Sequence, residues 1–349
     1  MLAIVSLKII IKKRITMRTV VIKQPGGLDN LHLIKRQATQ PKPDEVLVNW
    51  HATSLNYHDY LVAVGAIPVS GDRVPMSDGA GEIAAIGDNV TQWQIGDKVM
   101  STFFPDWLEG TATQFNAARV NGEHIDGFAQ EFSCVDQMAV TEIPVGYSYA
   151  QAATLPCAAA TAWRALVVEG NLKAGDTVLV EGTGGMSIFA LQIAKAAGAY
   201  VYATTSSDQK AQRLDELGAD HVINYRTDEK WGRTVSKHSG GGVNHVLDVG
   251  GSSTLPQSVE AIGYGGHISL IGILGGRKAD FILPKMFFKH AHMHGIAVGS
   301  RRMQMDMVQA INTTGWKPVI DKSFELAELA DAFRYQETGQ HFGKIVLEY

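Results

Sequence analysis

Ten consecutive residues narrow the folds open to this chain more than any others: Val178-Leu179-Val180-Glu181-Gly182-Thr183-Gly184-Gly185-Met186-Ser187. An apolar run of β-formers enters a glycine turn. Apolar residues at helical spacing follow it: Ile188, Leu191, Ile193, Ala194 and Ala197. A glycine triplet alone is weak evidence, but strand before and helix after is the context a dinucleotide-binding βαβ unit requires. Gly182 permits the tight turn, and Gly184 lets the backbone approach a pyrophosphate. A helix starting near Ser187 points free N–H groups and its positive dipole end at that anion. Ser187 replaces the usual third glycine and is small enough for close helix–strand packing.

The same alternation continues downstream. Strands are expected at Thr177–Glu181, Tyr200–Thr204, His221–Asn224, Val243–Asp248, His267–Ile271 and His292–Val298, with a helix over Asp208–Leu217. Strands alternating with helices imply a parallel sheet covered on both faces. Upstream, from Met17 to about Val140, the pattern is mostly β. Arg18–Lys23, Glu45–Ala52, Ala80–Ile86 and Lys98–Phe103 carry β-formers between Gly, Pro, Asp and Asn turns, and residues 104–130 have no clear period. Ala-rich helical stretches, Tyr149–Leu155 and Ala158–Val168, join the two regions. An amphipathic helix, Glu325–Tyr335, and a strand, Gly343–Glu348, close the chain, and that strand can return to the first region.

The tip of the second strand selects the cofactor. NAD-selective folds place an acid there for the ribose 2′-OH. Here the stretch is Ala203-Thr204-Thr205-Ser206-Ser207. A carboxylate would repel a 2′-phosphate by about 3 kcal/mol at ~5 Å and an effective dielectric near 20, and that penalty is missing. Ser206 and Ser207 can donate to phosphate, Lys210 is one turn on, and Asp208 is expected to cap the next helix. The group favours NADP. Asp248, Gly250, Ile271 and Gly272 follow strands at their carboxyl ends, where doubly wound sheets hold ligands, and are expected to line the cofactor.

Composition removes other classes. The formal net charge is −4 over 349 residues, so nothing points to nucleic acid. Two cysteines, Cys134 and Cys157, exclude a disulfide framework and a four-cysteine zinc site. Residues 1–16 are apolar and then basic, the reverse of a secretory signal, and are expected to form an extension ahead of the first domain. No later stretch approaches 18 uncharged apolar residues, so a soluble, cytoplasmic protein without membrane contact is expected.

Several segments together resemble the medium-chain dehydrogenase/reductase superfamily from about Met17 to Tyr349. Within it, the chain is similar to the zinc-free quinone oxidoreductase and zinc-type alcohol dehydrogenase-like branch. The matching segments are Asn56-Tyr57-His58-Asp59, Asp78-Gly79-Ala80-Gly81-Glu82, Gly96-Asp97-Lys98-Val99, Ala153-Thr154-Leu155-Pro156-Cys157, Thr161-Ala162-Trp163, the glycine turn, Leu217 to Tyr225, and Gly343-Lys344-Ile345-Val346-Leu347. The resemblance implies an α/β protein. A central Rossmann domain (156–300) joins a GroES-like β domain built from both chain ends (17–155, with 301–349 returning to it). It also implies a homodimer. Lys210 and Tyr225 match the lysine and tyrosine that grip the 2′-phosphate in NADP-using relatives. Thr161, Gly185, Met186, Thr205, Gly343 and Lys344 complete the implied cofactor set.

Zinc-dependent relatives hold their metal with Cys, His and Cys. At those positions this chain has Asn56, Ser77 and Cys157, with Asp78 for the neighbouring Glu. An amide and a hydroxyl are poor zinc ligands, so no metal is expected. His290, His292 and His294 alternate, which places them on one face of an expected edge strand and suggests packing or an interface. Without zinc, quinones and α,β-unsaturated carbonyls suit hydride transfer best, because their reduced forms delocalise the developing charge. Asn56 is the candidate positioning amide, Tyr57 and Tyr60 are candidate proton donors, and Asp59 is expected to be structural. Phe103, Phe104 and Trp107 either shape an apolar pocket or pack. Two other readings stay open: a zinc-independent alcohol or aldehyde dehydrogenase, and an NADP-binding structural or regulatory protein with little turnover.

Overall fold

The computed structural model describes residues 15–349, so the extension expected over residues 1–16 falls almost wholly outside the described residues. The chain divides into two compact units. One holds the residues up to Cys157 together with Gly299–Gly315 and Ile320–Tyr349; the other holds Ala158–Val298 and Trp316–Val319.

The first unit is built on strands. β1 (Thr16–Ile22) pairs antiparallel with β2 (Leu31–Gln37). β3 (Glu45–Ser54) is the spine of a larger sheet, pairing with β4 (Ala80–Ile86), β6 (Phe132–Asp136) and β15 (Lys344–Glu348). β5 (Lys98–Ser101) and β7 (Val140–Glu142) extend it beyond β4. β14 (Ile320–Glu325) extends it beyond β15. The chain's last strand therefore lies directly against β3, as a returning C-terminal segment requires. Close packing fixes Gly81: a Cβ there would meet Asn49 O at 2.0 Å. Trp50, Ile83, Val99, Phe128 and Val140 fill one core of this unit, and Val21, Met76, Leu329, Phe333 and Leu347 lie in another. Residues 104–130 contain no helix or strand of regular length.

The second unit is a six-stranded parallel sheet: β8 (Thr177–Glu181), β9 (Tyr200–Thr205), β10 (His221–Asn224), β11 (Val243–Asp248), β12 (Ile262–Leu270) and β13 (His292–Gly295). Its order is β10-β9-β8-β11-β12-β13, the doubly wound arrangement. The direction of winding reverses between β8 and β11, and doubly wound sheets receive ligands at the carboxyl ends of the strands on either side of such a reversal. Leu179, Val246, Ile268, Trp231 and Val259 lie in a core formed where helices cover the sheet.

Four local expectations change. The Ala-rich junction is not two plain helices: α-helical turns at Tyr149–Ala153 and Ala160–Trp163 alternate with π-helical turns at Leu155–Ala159 and Arg164–Glu169. The helix after the glycine turn begins at Gly185 rather than near Ser187. Ser207, not Asp208, caps the next helix, accepting from Lys210 N. His290 lies outside β13 with φ +51°, so the three alternating histidines do not share one strand.

Candidate functional site

The glycine turn is formed as its sequence requires. Gly182 has φ +73°, where an L side chain is strained. A Cβ at Gly182 or at Gly184 would meet nothing within 4 Å, so open space faces the turn. Gly184 caps the helix Gly185–Ala196 without a side-chain bond, which leaves first-turn N–H groups for an anion. Met186 is half-buried in that first turn. Ser187 acts internally: it is buried, and its Oγ donates to Glu181 O at 2.7 Å, tying the helix start to the strand end.

The residues expected at the 2′-phosphate converge. Asn224 of β10 is in register with Thr205 of β9. Tyr225 N donates to Thr205 O at 2.9 Å, which puts Tyr225 beside the Ser206–Ser207 corner. Tyr225 is 40% exposed, while Ser206, Ser207 and Lys210 are half-buried. Asp208 is held by Asn224 Nδ2 at 2.7 Å. Thr205 is buried within the strand end.

Past β11 the picture differs from expectation. Asp248 is fully buried, and its carboxylate accepts from Gly251 N and Thr254 Oγ1, both at 2.8 Å, so its side chain turns inward. Its backbone carbonyl holds Ile271 N (2.9 Å) and Gly272 N (3.2 Å), and Gly250 O accepts from Gly275 N (2.8 Å). The two loops following β11 and β12 are thereby stitched together at the carboxyl ends of the strands. Thr161 is buried in its helical turn.

In the other unit, two of the three residues at the zinc positions, Asn56 and Ser77, belong to a hydrogen-bonded cluster. β3 ends at Ser54 and the helix Tyr57–Ala63 begins with Asn56 as its cap. Asp59 Oδ2 accepts from Asn56 N (3.1 Å) and its Oδ1 from Ser77 N (2.9 Å), so Asp59 locks the cap to the Ser77 segment. Asn56 Nδ2 donates to Asp78 Oδ2 (2.9 Å) and Ser77 Oγ (3.2 Å). Lys344 Nζ donates to Asn56 Oδ1 and Leu55 O, both at 2.6 Å. Lys344, expected at the cofactor, is instead buried in this cluster just after Gly343, whose φ is +86°. Burial pushes Asp78 up to about 7, although the Lys344 charge opposes that rise. Burial likewise lowers Lys344, and burial followed by the Asp78 charge pushes the Cys157 thiol well up.

These residues do not fit zinc. An amide, a hydroxyl and a thiol disfavoured as thiolate are poor partners for it, and an ammonium bonded to the amide oxygen repels a dication. Among the described residues no group of three or more His, Cys, Asp or Glu is arranged to hold a metal ion. That includes the histidines of the parallel sheet. His245, His267 and His292 are in register across β11, β12 and β13. The His267 and His294 rings lie 4.4 Å apart, and burial, with His294 next, pushes His267 down to about 4.

The two tyrosines separate. Tyr57 is 42% exposed. The Tyr60 hydroxyl donates to Glu337 at 2.6 Å, and this bond, with burial, pushes it up to about 12. Tyr60 is thus held by a carboxylate and is a poor proton donor. Sequence reasoning gives no role to His58, whose Nε2 lies 2.8 Å from Glu123 and whose Nδ1 lies 3.7 Å from Asp59. Burial opposes its charge, but the two carboxylates outweigh burial and lift it to about 9. Phe103, Phe104 and Trp107 are all buried and pack on one another.

Comparison with known proteins identifies the fold family. The alcohol dehydrogenase GroES-like domain family matches residues 42–145, and the zinc-binding dehydrogenase family matches residues 185–314. A zinc-type alcohol dehydrogenase-like protein of Schizosaccharomyces pombe is 40% identical over 342 residues, covering 95% of this chain and 99% of its own. A solved protein from Sinorhizobium meliloti 1021 superposes with a TM-score of 0.91 at 37% identity, covering 97% of this chain and 99% of its own. A solved NAD-dependent alcohol dehydrogenase does so at 0.87 and 29%, covering 95% and 99%. The fold and turn define a nicotinamide-dinucleotide oxidoreductase of the alcohol dehydrogenase-like type. The chain belongs to the medium-chain dehydrogenase/reductase superfamily. No described helix is long and apolar enough to cross a membrane.

Proposed function

We propose that this protein is an NADPH-dependent, zinc-independent reductase of quinones or α,β-unsaturated carbonyls. The observation that carries the reading is the hydrogen-bonded Asn56–Ser77–Asp78–Lys344 cluster, in which a lysine ammonium donates to the amide that stands where zinc-dependent relatives have a cysteine ligand. When bound, the dinucleotide supplies the hydride. The chain positions it with the open glycine turn and helix N-terminus, and selects its 2′-phosphate with Ser206, Ser207, Lys210 and Tyr225. Asn56 has both ends of its amide committed to Ser77, Asp78 and Lys344, so it acts by holding that cluster together rather than by gripping substrate. A site of this kind offers modest stabilisation to oxygen. It therefore suits substrates whose reduced form spreads the charge, a quinol or an enolate.

A second reading, a zinc-independent alcohol or aldehyde dehydrogenase, is favoured by the name of the Schizosaccharomyces pombe relative. Metal-stripped protein assayed with NADPH against quinones, enones and aldehydes separates the two; turnover of aldehydes alone refutes the first. We extend the proposal to a homodimer formed along β13. That strand is the sheet edge, and Ile282, Leu283, Phe287 and Phe288 leading into it are 58–68% exposed. Light scattering at a mass of one chain refutes the dimer.

A further inference from the structure

Two buried acids under the glycine turn have no part in the reading above. Glu181 is the last residue of β8, immediately before Gly182, and Asp248 is the last residue of the neighbouring β11. They are 2% and 0% exposed. Ser258, from the helix Leu255–Ala261, stands between them. Its Oγ is 2.6 Å from Glu181 Oε1 and 2.7 Å from Asp248 Oδ2.

A serine hydroxyl has one proton to donate, and an ionised carboxylate can only accept. Two oxygens at these distances from one hydroxyl therefore require that at least one of the carboxyls is itself a donor. The third contact of Ser258 Oγ, Thr254 O at 3.3 Å, only strengthens the count. If the hydroxyl turned there, both carboxyls would need protons. The remaining oxygens indicate which acid is neutral. Asp248 Oδ1 accepts two bonds at 2.8 Å, a shell suited to an anion. Glu181 Oε2 accepts a longer one, from Val249 N at 3.2 Å. Burial raises both acids; for Glu181, burial followed by the Asp248 charge pushes it up to about 8. The charged group facing Glu181 is Asp248. The other groups around the pair are the Ser258 and Thr254 hydroxyls and the backbone amides of Val249, Gly250 and Gly251.

We propose that Glu181 and Asp248 share a single proton through Ser258, and that this proton positions the glycine turn for its dinucleotide by holding the charge beneath it at −1. The proton sits on Glu181 Oε1 and is donated to Ser258 Oγ, which donates its own proton to Asp248 Oδ2. Glu181 also links the turn to the helix, because its carbonyl accepts from Ser187 Oγ. Loss of the shared proton at alkaline pH sets two carboxylates against one hydroxyl. It also adds a negative charge below a turn that receives a pyrophosphate. Both effects loosen cofactor binding. The positioning role rests on the turn being the dinucleotide site; the shared proton does not.

Infrared spectroscopy and cofactor titration test the two parts separately. The wild-type protein at pH 7 is expected to show a protonated-carboxyl C=O stretch that shifts on deuteration and is lost in Glu181→Gln. Absence of that band overturns the shared proton. NADPH affinity, followed by fluorescence, is expected to weaken about tenfold between pH 7 and about 9.5, the order expected for one unit charge about a nanometre from an anion. Glu181→Gln, whose amide can donate to Ser258 at any pH, is expected to lose that pH dependence, its affinity changing by less than about twofold between pH 7 and about 9.5. A wild-type pH dependence retained by Glu181→Gln overturns the positioning role. Should the variant fail to fold, Asp78→Asn still decides: it removes the band of Asp78, the other buried acid pushed up to about 7, and the remaining band must bleach over the pH range in which NADPH affinity falls. A band present with no NADPH binding at any pH overturns the cofactor reading and leaves the shared proton standing.

Discussion

Lys344→Met removes the cation at the centre of the buried cluster while keeping an unbranched side chain of similar length. Lys344 is 3% exposed, and its Nζ bonds Leu55 O and Asn56 Oδ1 at 2.6 Å. Both acceptors lose their donor, at about 1–3 kcal/mol each when buried. Asp78, fully buried, loses the charge that opposes its neutralisation. One-sided loss of a buried pair costs about 3–5 kcal/mol. Asp78 limits the cost by taking up a proton, since burial already pushes it up to about 7. The expected total is about 3 kcal/mol. At about 2–4 °C per kcal/mol for a cooperative unit of this size, Tm falls by about 6–12 °C in calorimetry at pH 7. Asp78→Asn in the same chain removes the stranded charge, so the double variant is expected to be more stable than the summed single losses by more than about 1 kcal/mol. A single variant within about 1 kcal/mol of wild type, or strictly additive losses, would refute the coupled charge pair.

Three further outcomes follow from the site. Ser206→Asp places a carboxylate at the 2′-phosphate corner. At about 3 kcal/mol of repulsion, kcat/KM with NADPH is expected to fall about 100-fold while that with NADH holds, as steady-state kinetics would show. His58 is raised to about 9 from an unfolded value near 6.5, so its ion pairs contribute fully below pH 6.5 and are lost as pH rises through 9. His58→Gln is expected to cost about 2 kcal/mol at pH 6 and little at pH 10, measured by denaturant titration at both values. Asn56→Ala frees Lys344, Ser77 and Asp78 from their shared amide and is expected to lower kcat at least tenfold; full turnover would remove Asn56 from the site.

The glycine turn and the strand alternation are legible in sequence because each is a local rule, whereas the return of the C-terminal strand to β3 is legible through the family resemblance. β-formers, glycine and helical spacing occur within ten residues of one another, and strand βα units permit few windings. The grouping of Ser206, Ser207 and Lys210 is legible because they are sequence neighbours, and β9–β10 pairing brings Tyr225 beside them, as the proposed 2′-phosphate site requires. The direction of the buried side chains is not. Lys344 and Asn56 are 288 residues apart, so no local pattern shows that the ammonium turns into the Asn56 cluster. Asp248 sits where a ligand contact is expected, but Thr254 and Ser258, six and ten residues on, draw its carboxylate inward. Tyr60 reads as a free phenol until Glu337 is placed beside it. The π-helical turns at the Ala-rich junction have no sequence signature that separates them from α-helix.

The central claim, a hydride-transferring reductase that needs no metal and prefers NADPH, is tested most directly by one assay. Purified protein is stripped with a strong chelator, its metal content is measured, and NADPH and NADH consumption is followed with quinones, enones and simple aldehydes. The account predicts metal-free protein that reduces quinones or enones with NADPH preferred, at a rate unchanged by added zinc. Activity that disappears with the chelator and returns with zinc, or turnover confined to simple aldehydes, would contradict it.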